Sequence, residues 1–506
     1  MSRIWKKFCC IFYMVGLLCA WSMLLSQYAY AVDFKIHGIW QIFFEQSNVT
    51  PRGQKGSDEF GAVQRFRIGL IAEANENLSG TVAFTLGRTE WGNALTGGAL
   101  GADANDVKLL HAYIDWLVPE TKIKLRMGLQ TIELPSYLGK VSPAFGQVMA
   151  GVMANAPLWE GSDGSSGSLT AFWARPYNDN SSNTYPNDPS TRAIDNLDVF
   201  TALLPMRWEK FRFTPWVLYA LIGKYSLTGV SMPPPPIVLP RGGLMPVLGD
   251  SLNYPIFQNT RLKSLDRAWG GGIWGSLMGD YDVTDNFNIA LEGIYGYVNM
   301  GDIDNYTGFP GRSRTFHVRR EGWYVGTKFS YATEYGTPAL LLWYGSGDDD
   351  NPWNGSERMP QFNSPFMVTS LGFGGGAIDE TTWKVLGNNP AGMMAAVAEI
   401  KDVSFLPKLK HKFAVAGYVG TNSPKMPKRA NMSYPTRVDG PAAYLTTMDT
   451  AWEVNLINDY QMYENFKINF EAAYLRLNLS DDVWHGVQDS QKKDNYRLSV
   501  LFTYSF

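Results

Sequence analysis

Apolar and polar residues alternate one for one through many short stretches of this chain, and the last twelve residues show the pattern most cleanly. Tyr496, Leu498, Val500, Phe502, Tyr504 and Phe506 fall on one side of an extended strand, with Arg497, Ser499, Thr503 and Ser505 on the other. Leu501 is the one large apolar residue on the polar side. The same period recurs near the start, where Ile36, Gly38, Trp40, Ile42 and Phe44 oppose Lys35, His37, Gln41 and Glu45. Phe66, Ile68 and Leu70 oppose Arg65, Arg67 and Gly69; Ile123, Leu125, Met127 and Leu129 oppose Lys122, Lys124, Arg126, Gly128 and Gln130. Later examples set Phe211, Phe213, Val217 and Tyr219 against Lys210, Arg212 and Thr214, and Phe466, Ile468 and Phe470 against Lys467, Asn469 and Glu471. One such strand suits the surface of a soluble sandwich. A long series with aromatic apolar faces suits a wall with lipid outside and water inside.

The connectors sort into two kinds. Short ones, such as Asn75–Asn77, Pro119–Thr121, Thr284–Asn286 and Tyr463–Asn465, alternate with long ones rich in Gly, Pro, Asn and Asp, at 46–59, 91–104, 176–193, 226–267, 300–316, 346–392, 421–445 and 479–493. Tight turns at one end and extended loops at the other are the bookkeeping of a membrane barrel. The pattern predicts strands near 34–45, 60–74, 78–90, 105–118, 121–130, 166–175, 194–204, 210–225, 268–281, 286–299, 317–332, 337–345, 393–404, 411–420, 446–460, 466–478 and 494–506. Both termini at one rim require an even number, so an extra strand within 145–156, carrying Gly146, Val148, Ala150 and Val152, makes eighteen. Sixteen follows instead if 131–193 is one long excursion.

The N-terminus changes what is counted. Arg3, Lys6 and Lys7 precede an apolar run from Phe8 to Leu25 and the small-x-small site Ala29–Ala31, which predicts a signal peptide over 1–31 and a single barrel domain over 32–506. All three cysteines, Cys9, Cys10 and Cys19, belong to that leader, so thiol chemistry and disulfides are excluded from the remainder. Removing the leader leaves 41 of the 44 basic residues against 47 acidic ones, near −6, which points to no nucleic-acid partner. No later stretch approaches the length of a transmembrane helix, whereas a closed barrel crosses lipid with every backbone group paired.

Leu134 to Asp163 is too apolar for a solvent loop, yet Pro135, Pro143 and its glycines forbid a long regular element. It is expected to fold inward after strand five and narrow the lumen, with Tyr137, Lys140 and Phe145 in the passage. The lumen charges are the candidate functional residues. Arg65, Arg67, Lys122, Lys124 and Arg126 would form a basic wall, with Asp115, Glu292, Glu453 and Glu471 supplying the opposite sign across a constriction. Tyr113, Trp216 and Tyr137 are candidates for stacking against sugars.

Asp348–Asn354 offers several oxygen ligands, and Asp348 and Asp350 suit Ca²⁺, but the run lacks the trailing bidentate Glu of a complete loop and reads better as a solvated acidic turn. His37, His111, His317, His411 and His485 have no metal-ligand spacing, and neither a phosphate-cradling Gly loop nor a Gly-x-Ser-x-Gly element is present. No enzyme activity and no resident cofactor are expected.

With alternating strands, an inward segment and terminal Phe506, the chain resembles a Gram-negative trimeric porin. It is most similar to the homotrimeric porins of sulfate-reducing, Desulfovibrio-type bacteria, through Phe34-Lys-Ile-His-Gly38 at the mature start. The resemblance implies an outer-membrane antiparallel barrel that assembles as a homotrimer among lipid and lipopolysaccharide and passes small hydrophilic solutes by diffusion. It implies Phe506 as the assembly signal and places the constriction loop at 131–165. The alternatives are a channel selective for sugars or organic anions and a non-conducting structural or adhesion barrel.

Overall fold

The computed structural model describes residues 32–49, 58–101, 107–178, 196–223, 231–232, 237–238, 244, 269–306, 314–362, 366–376, 384–430, 432, 443–484 and 493–506. The leader, His485 and Pro233–Pro236 lie outside them. Eighteen antiparallel strands close on themselves. In chain order they are β1 (Asp33–Ser47), β2 (Glu59–Asn75), β3 (Leu78–Glu90), β4 (Val107–Leu117), β5 (Lys124–Glu133), β6 (Gly146–Glu160), β7 (Ser166–Asn178), β8 (Asn196–Leu203 with Met206–Arg207) and β9 (Phe211–Phe213 with Trp216–Gly223). The second half comprises β10 (Trp269–Asp282), β11 (Phe287–Tyr306), β12 (Arg314–Tyr331), β13 (Thr337–Gly345), β14 (Met393–Leu406), β15 (Leu409–Gly420), β16 (Thr450–Tyr463), β17 (Phe466–Asn478) and β18 (Asp494–Ser505). Pro205 and Pro215 interrupt β8 and β9, because a proline has no N–H to give to the ladder. Of the two strand counts, eighteen holds: β6 is a full strand, so the inward segment is 134–145 rather than 131–165.

β18 pairs with β1 from Ser505↔Ile39 to Arg497↔Ser47, and this seam removes every open edge. Phe506 extends the seam: the Gly38 N–H donates to its carbonyl at 2.8 Å, and its own N–H donates back to Gly38 at 3.1 Å. Its ring lies on Phe66 and over Gly38, where any Cβ would meet it at 2.4 Å.

The alternation is that of the sequence. Trp40, Leu277, Val217, Trp452 and Leu498 face outward and are exposed, while Arg497, Ser499, Leu501, Glu292 and Glu453 face inward and are buried. Leu277, 66% exposed in the middle of β10, is a lipid-facing position. Leu277→Arg is therefore expected to cost about 2–4 kcal/mol of folding free energy in a bilayer. Equilibrium folding into lipid vesicles checks this, and a cost near zero would place that face in water.

Candidate functional site

The interior is not simply a water-filled cylinder. From β8 to β15 many inward positions are apolar, among them Leu218, Ile222, Trp274, Val298, Leu341, Trp343, Val397 and Tyr418, and these are all buried. Strands with lipid outside and apolar side chains inside need a cover, and two loops provide it. The first is 134–145, after β5, as expected from the sequence. The second is the connector 346–392 after β13, which its Gly, Pro and Asp content marks as an outer loop; instead its Met359, Phe362, Phe366, Val368, Leu371 and Phe373 are buried in one cluster with the wall.

The loops meet inside the barrel. The Phe362 N–H donates to Ala144 at 3.0 Å and the Lys140 N–H to Phe366 at 3.3 Å, and the Phe145 ring stands edge-on to Phe362 at 5.1 Å. Gly139 allows this approach, since a Cβ there would lie 2.2 Å from the Phe366 carbonyl oxygen. Behind them Trp274 packs on Phe362 and donates its indole N–H to Pro360 at 2.8 Å. Phe366 is enclosed by Tyr324, Trp343 and Phe373.

Three of the acidic residues read as one side of a constriction act as fasteners for these loops. Glu292 accepts the Ser136 hydroxyl at 2.9 and 3.0 Å and the Tyr137 N–H at 2.6 Å. Glu453 accepts the N–H groups of Leu371 and Gly372 at 2.6 and 3.1 Å and the Tyr418 hydroxyl at 2.9 Å. These N–H groups belong to a one-turn helix, α1 (Ser370–Phe373). Glu471 accepts the Ser370 hydroxyl and lies 3.3 Å from Arg497, whose guanidinium donates to the Ser370 carbonyl at 2.6 Å. All three carboxylates are buried, so they hold structure in place and present no charge to a solute.

Asp115 does not oppose Arg126. It sits directly across the β4–β5 ladder from it and receives it in two bonds of 2.7 and 2.8 Å, on the same wall. Arg65 bonds Gln41 at 2.6 Å, and His111 lies within electrostatic reach of Arg67 and Arg126. Lys124 opens β5 at the rim. Lys122 precedes the strand in an exposed turn and pairs with Glu160 at 3.1 Å. Arg65, Arg67 and Arg126 are thus gathered on one inner wall, while Lys122 stands outside it. Lys140 is exposed, and Phe145 is wholly buried between the loops.

The aromatic candidates offer little for a sugar to stack on. The Arg126 guanidinium covers the Tyr113 ring at 4.1 Å, Trp216 is buried, and Tyr137 is half-buried beside Asp280 and Arg212.

Sequence reasoning missed the lysines at the rim that carries the short turns. Lys401, Lys410, Lys412 and Lys467 line a cavity of about 500 Å³ there, with Asp402 and Asp459 and under Gly375 and Gly376 of the second loop. Their sequence signal was the inward parity of Lys410 and Lys412 on β15 and Lys467 on β17.

Asp348 and Asp350 go to different partners. Asp348 accepts the Ser356 hydroxyl at 2.6 Å and the Tyr444 hydroxyl at 3.0 Å, whereas Asp350 pairs with Arg429 at 3.0 Å. Among the described residues no group of three or more His, Asp or Glu side chains converges as a metal site. Beside Asp348 lies Glu357, in the same outer connector, whose carboxyl is pushed up to about 7 by burial and by the charges of Asp348 and Asp349. A raised carboxyl favours the packed loop while it keeps its proton, so that contribution is complete below its unfolded pKa, about 4.3, and is lost as pH rises through 7. Amide exchange in 346–357 is expected to be faster at pH 8 than at pH 6 after correction for intrinsic rates. Glu357→Gln should remove the difference.

No family model and no curated protein matches the sequence. Solved structures do match, each over 94% of this chain. They include OpdQ of Pseudomonas aeruginosa, with 98% of that chain covered at 11% identity and a TM-score of 0.48. OccK2 of the same organism is covered over 98% at 11% identity and a TM-score of 0.49, and has also been crystallised with glucuronate. OccAB3 of Acinetobacter baumannii is covered over 100% at 10% identity and a TM-score of 0.47. The expected kinship with Desulfovibrio-type trimeric porins is corrected by these matches, which fall among the OprD and OccK barrels. That resemblance rested on a five-residue start and a terminal phenylalanine, too little to separate one barrel group from another.

Proposed function

We propose that the protein is a solute-selective channel for small organic anions. The chain is an integral β-barrel of the outer membrane, and a closed wall with a polar inner strip between β1 and β5 is built for passage. One observation carries the anion reading: three of the candidate carboxylates, Glu292, Glu453 and Glu471, are buried under the loops, while Arg65, Arg67, Arg126 and the rim lysines stand along the inner surface, Arg126 beside Asp115, Lys410 beside Asp402 and Lys467 beside Asp459. A transported anion meets this field from the wall toward the short-turn rim. The covered ring of Tyr113 and the burial of Trp216 weigh against a neutral sugar.

Planar-bilayer recording in a KCl gradient tests this. Stepwise conductance with a reversal potential of anionic sign is expected, and in vesicle swelling a sugar acid should enter faster than the neutral sugar of the same size. A cation-selective reversal potential overturns the anion reading, and absence of conductance makes the barrel a structural one.

A further inference from the structure

Around the rim cavity, counting the wall residues Glu399 and Lys328 behind its lining, the charges do not balance locally. Lys412 pairs with Glu399 at 3.0 Å, and Glu399 is buried. Lys328, on the inner face of β12, lies within electrostatic reach of that same Glu399 and of both Lys401 and Lys412. These four groups therefore hold three ammonium charges around one carboxylate, a local sum of +2. The neighbouring ions are matched within themselves: Lys410 with Asp402 at 3.0 Å and Lys467 with Asp459 at 3.2 Å.

We infer that Lys401 and Lys412, which line the cavity, form a binding station for a divalent oxyanion at the short-turn mouth of the channel, with Lys328 behind them on the wall of β12 adding to the local positive charge. This deepens the anion reading proposed above and rests on it for the direction of transport, although the station itself can be tested alone. A dianion would bring the foursome to neutrality, which a monoanion does only by half. The cavity of about 500 Å³ admits a small dicarboxylate or a hydrated inorganic dianion, and Gln41, Asn469 and Thr503 on its wall supply neutral hydrogen-bonding groups for the remaining oxygens. Like charges gathered at one place raise the energy of the empty site, so an incoming dianion relieves repulsion as well as gaining attraction. Lysine, a mobile point charge, suits a solute that must bind and leave.

The test is single-channel recording of the full chain in KCl, with sodium sulfate or sodium succinate added in turn to the side carrying the short turns. Both dianions should interrupt the chloride current at concentrations where acetate does not. Lys401→Gln, which leaves the Lys412–Glu399 pair intact, should raise the half-blocking concentration about tenfold. Lys412→Gln should do at least as much if the barrel assembles. Block by succinate alone identifies the ligand as a dicarboxylate, and block by sulfate alone as an inorganic oxyanion; either supports the station. Equal block by acetate and the dianions, or unchanged block in Lys401→Gln, overturns it. If the station fails while the reversal potential stays anionic, the anion reading stands; dianion block in a cation-selective pore instead upholds the station and sinks the anion reading.

Discussion

Glu453→Ala is expected to release α1 from the barrel wall and raise single-channel conductance. In the folded protein the Glu453 carboxylate satisfies the Leu371 and Gly372 N–H groups and the Tyr418 hydroxyl, all buried. Removing it orphans two backbone donors at roughly 1–3 kcal/mol each, while the Tyr418 hydroxyl keeps Thr369 at 2.7 Å, and the loss is offset in part because a buried carboxylate no longer has to be desolvated. A net loss of about 3 kcal/mol in loop docking follows, enough to raise the undocked population about a hundredfold. Glu453→Gln keeps the shape but presents only one acceptor oxygen, so a smaller effect is expected. The readouts are the frequency of large-conductance openings and protease cleavage within 366–376. Unchanged gating in Glu453→Ala would show that the loop is held by its apolar contacts alone.

The strands were legible in the sequence where one face is wet. β1, β2, β5, β17 and β18 each read cleanly because lipid and lumen demand opposite side chains, and the parity requirement correctly called for β6. The second inward loop was not legible by that method. Its glycines, prolines and aspartates resemble those of any solvated connector, and periodicity says nothing about where a loop goes. The signal lay elsewhere, in the strands that fail to alternate: Leu218, Ala220 and Ile222 on β9, or Ala414, Ala416 and Tyr418 on β15, put apolar groups on the inner face as well. An inner face of that kind has to be covered, and the connector 346–392, with Phe362, Phe366 and Phe373, carries the apolar side chains to do it. The candidate site shows the same limit. Parity alone assigns Glu292, Glu453 and Glu471 to the interior, but a residue's side of the wall does not reveal what stands in front of it. A backbone N–H 82 residues away in sequence, as that of Leu371 is from Glu453, leaves no mark in a pattern of period two.

Phe366→Ala is expected to loosen the same loop by a different route. The ring is wholly buried, edge-on to Tyr324 at 5.8 Å, to Trp343 at 5.3 Å and to Phe373 at 5.5 Å. Truncating a phenylalanine in such a packed site costs about 3–5 kcal/mol, because the barrel wall cannot collapse into the void. That cost falls on loop docking rather than on the barrel, whose ladder closes through β1 and β18 without any contribution from Phe366. Urea unfolding of the barrel, followed by heat-dependent gel migration, should therefore shift little, while amide exchange in 366–376 should accelerate and the channel should open wider. The double variant with Glu453→Ala separates the two fastenings from one shared event. If either substitution already frees the loop, the second has nothing left to release, and the combined conductance change should fall well short of the product of the two. Independent, multiplicative effects would mean that α1 and Phe366 move separately, and a barrel that unfolds in step with the loop would mean that the inner cluster helps to hold the wall itself.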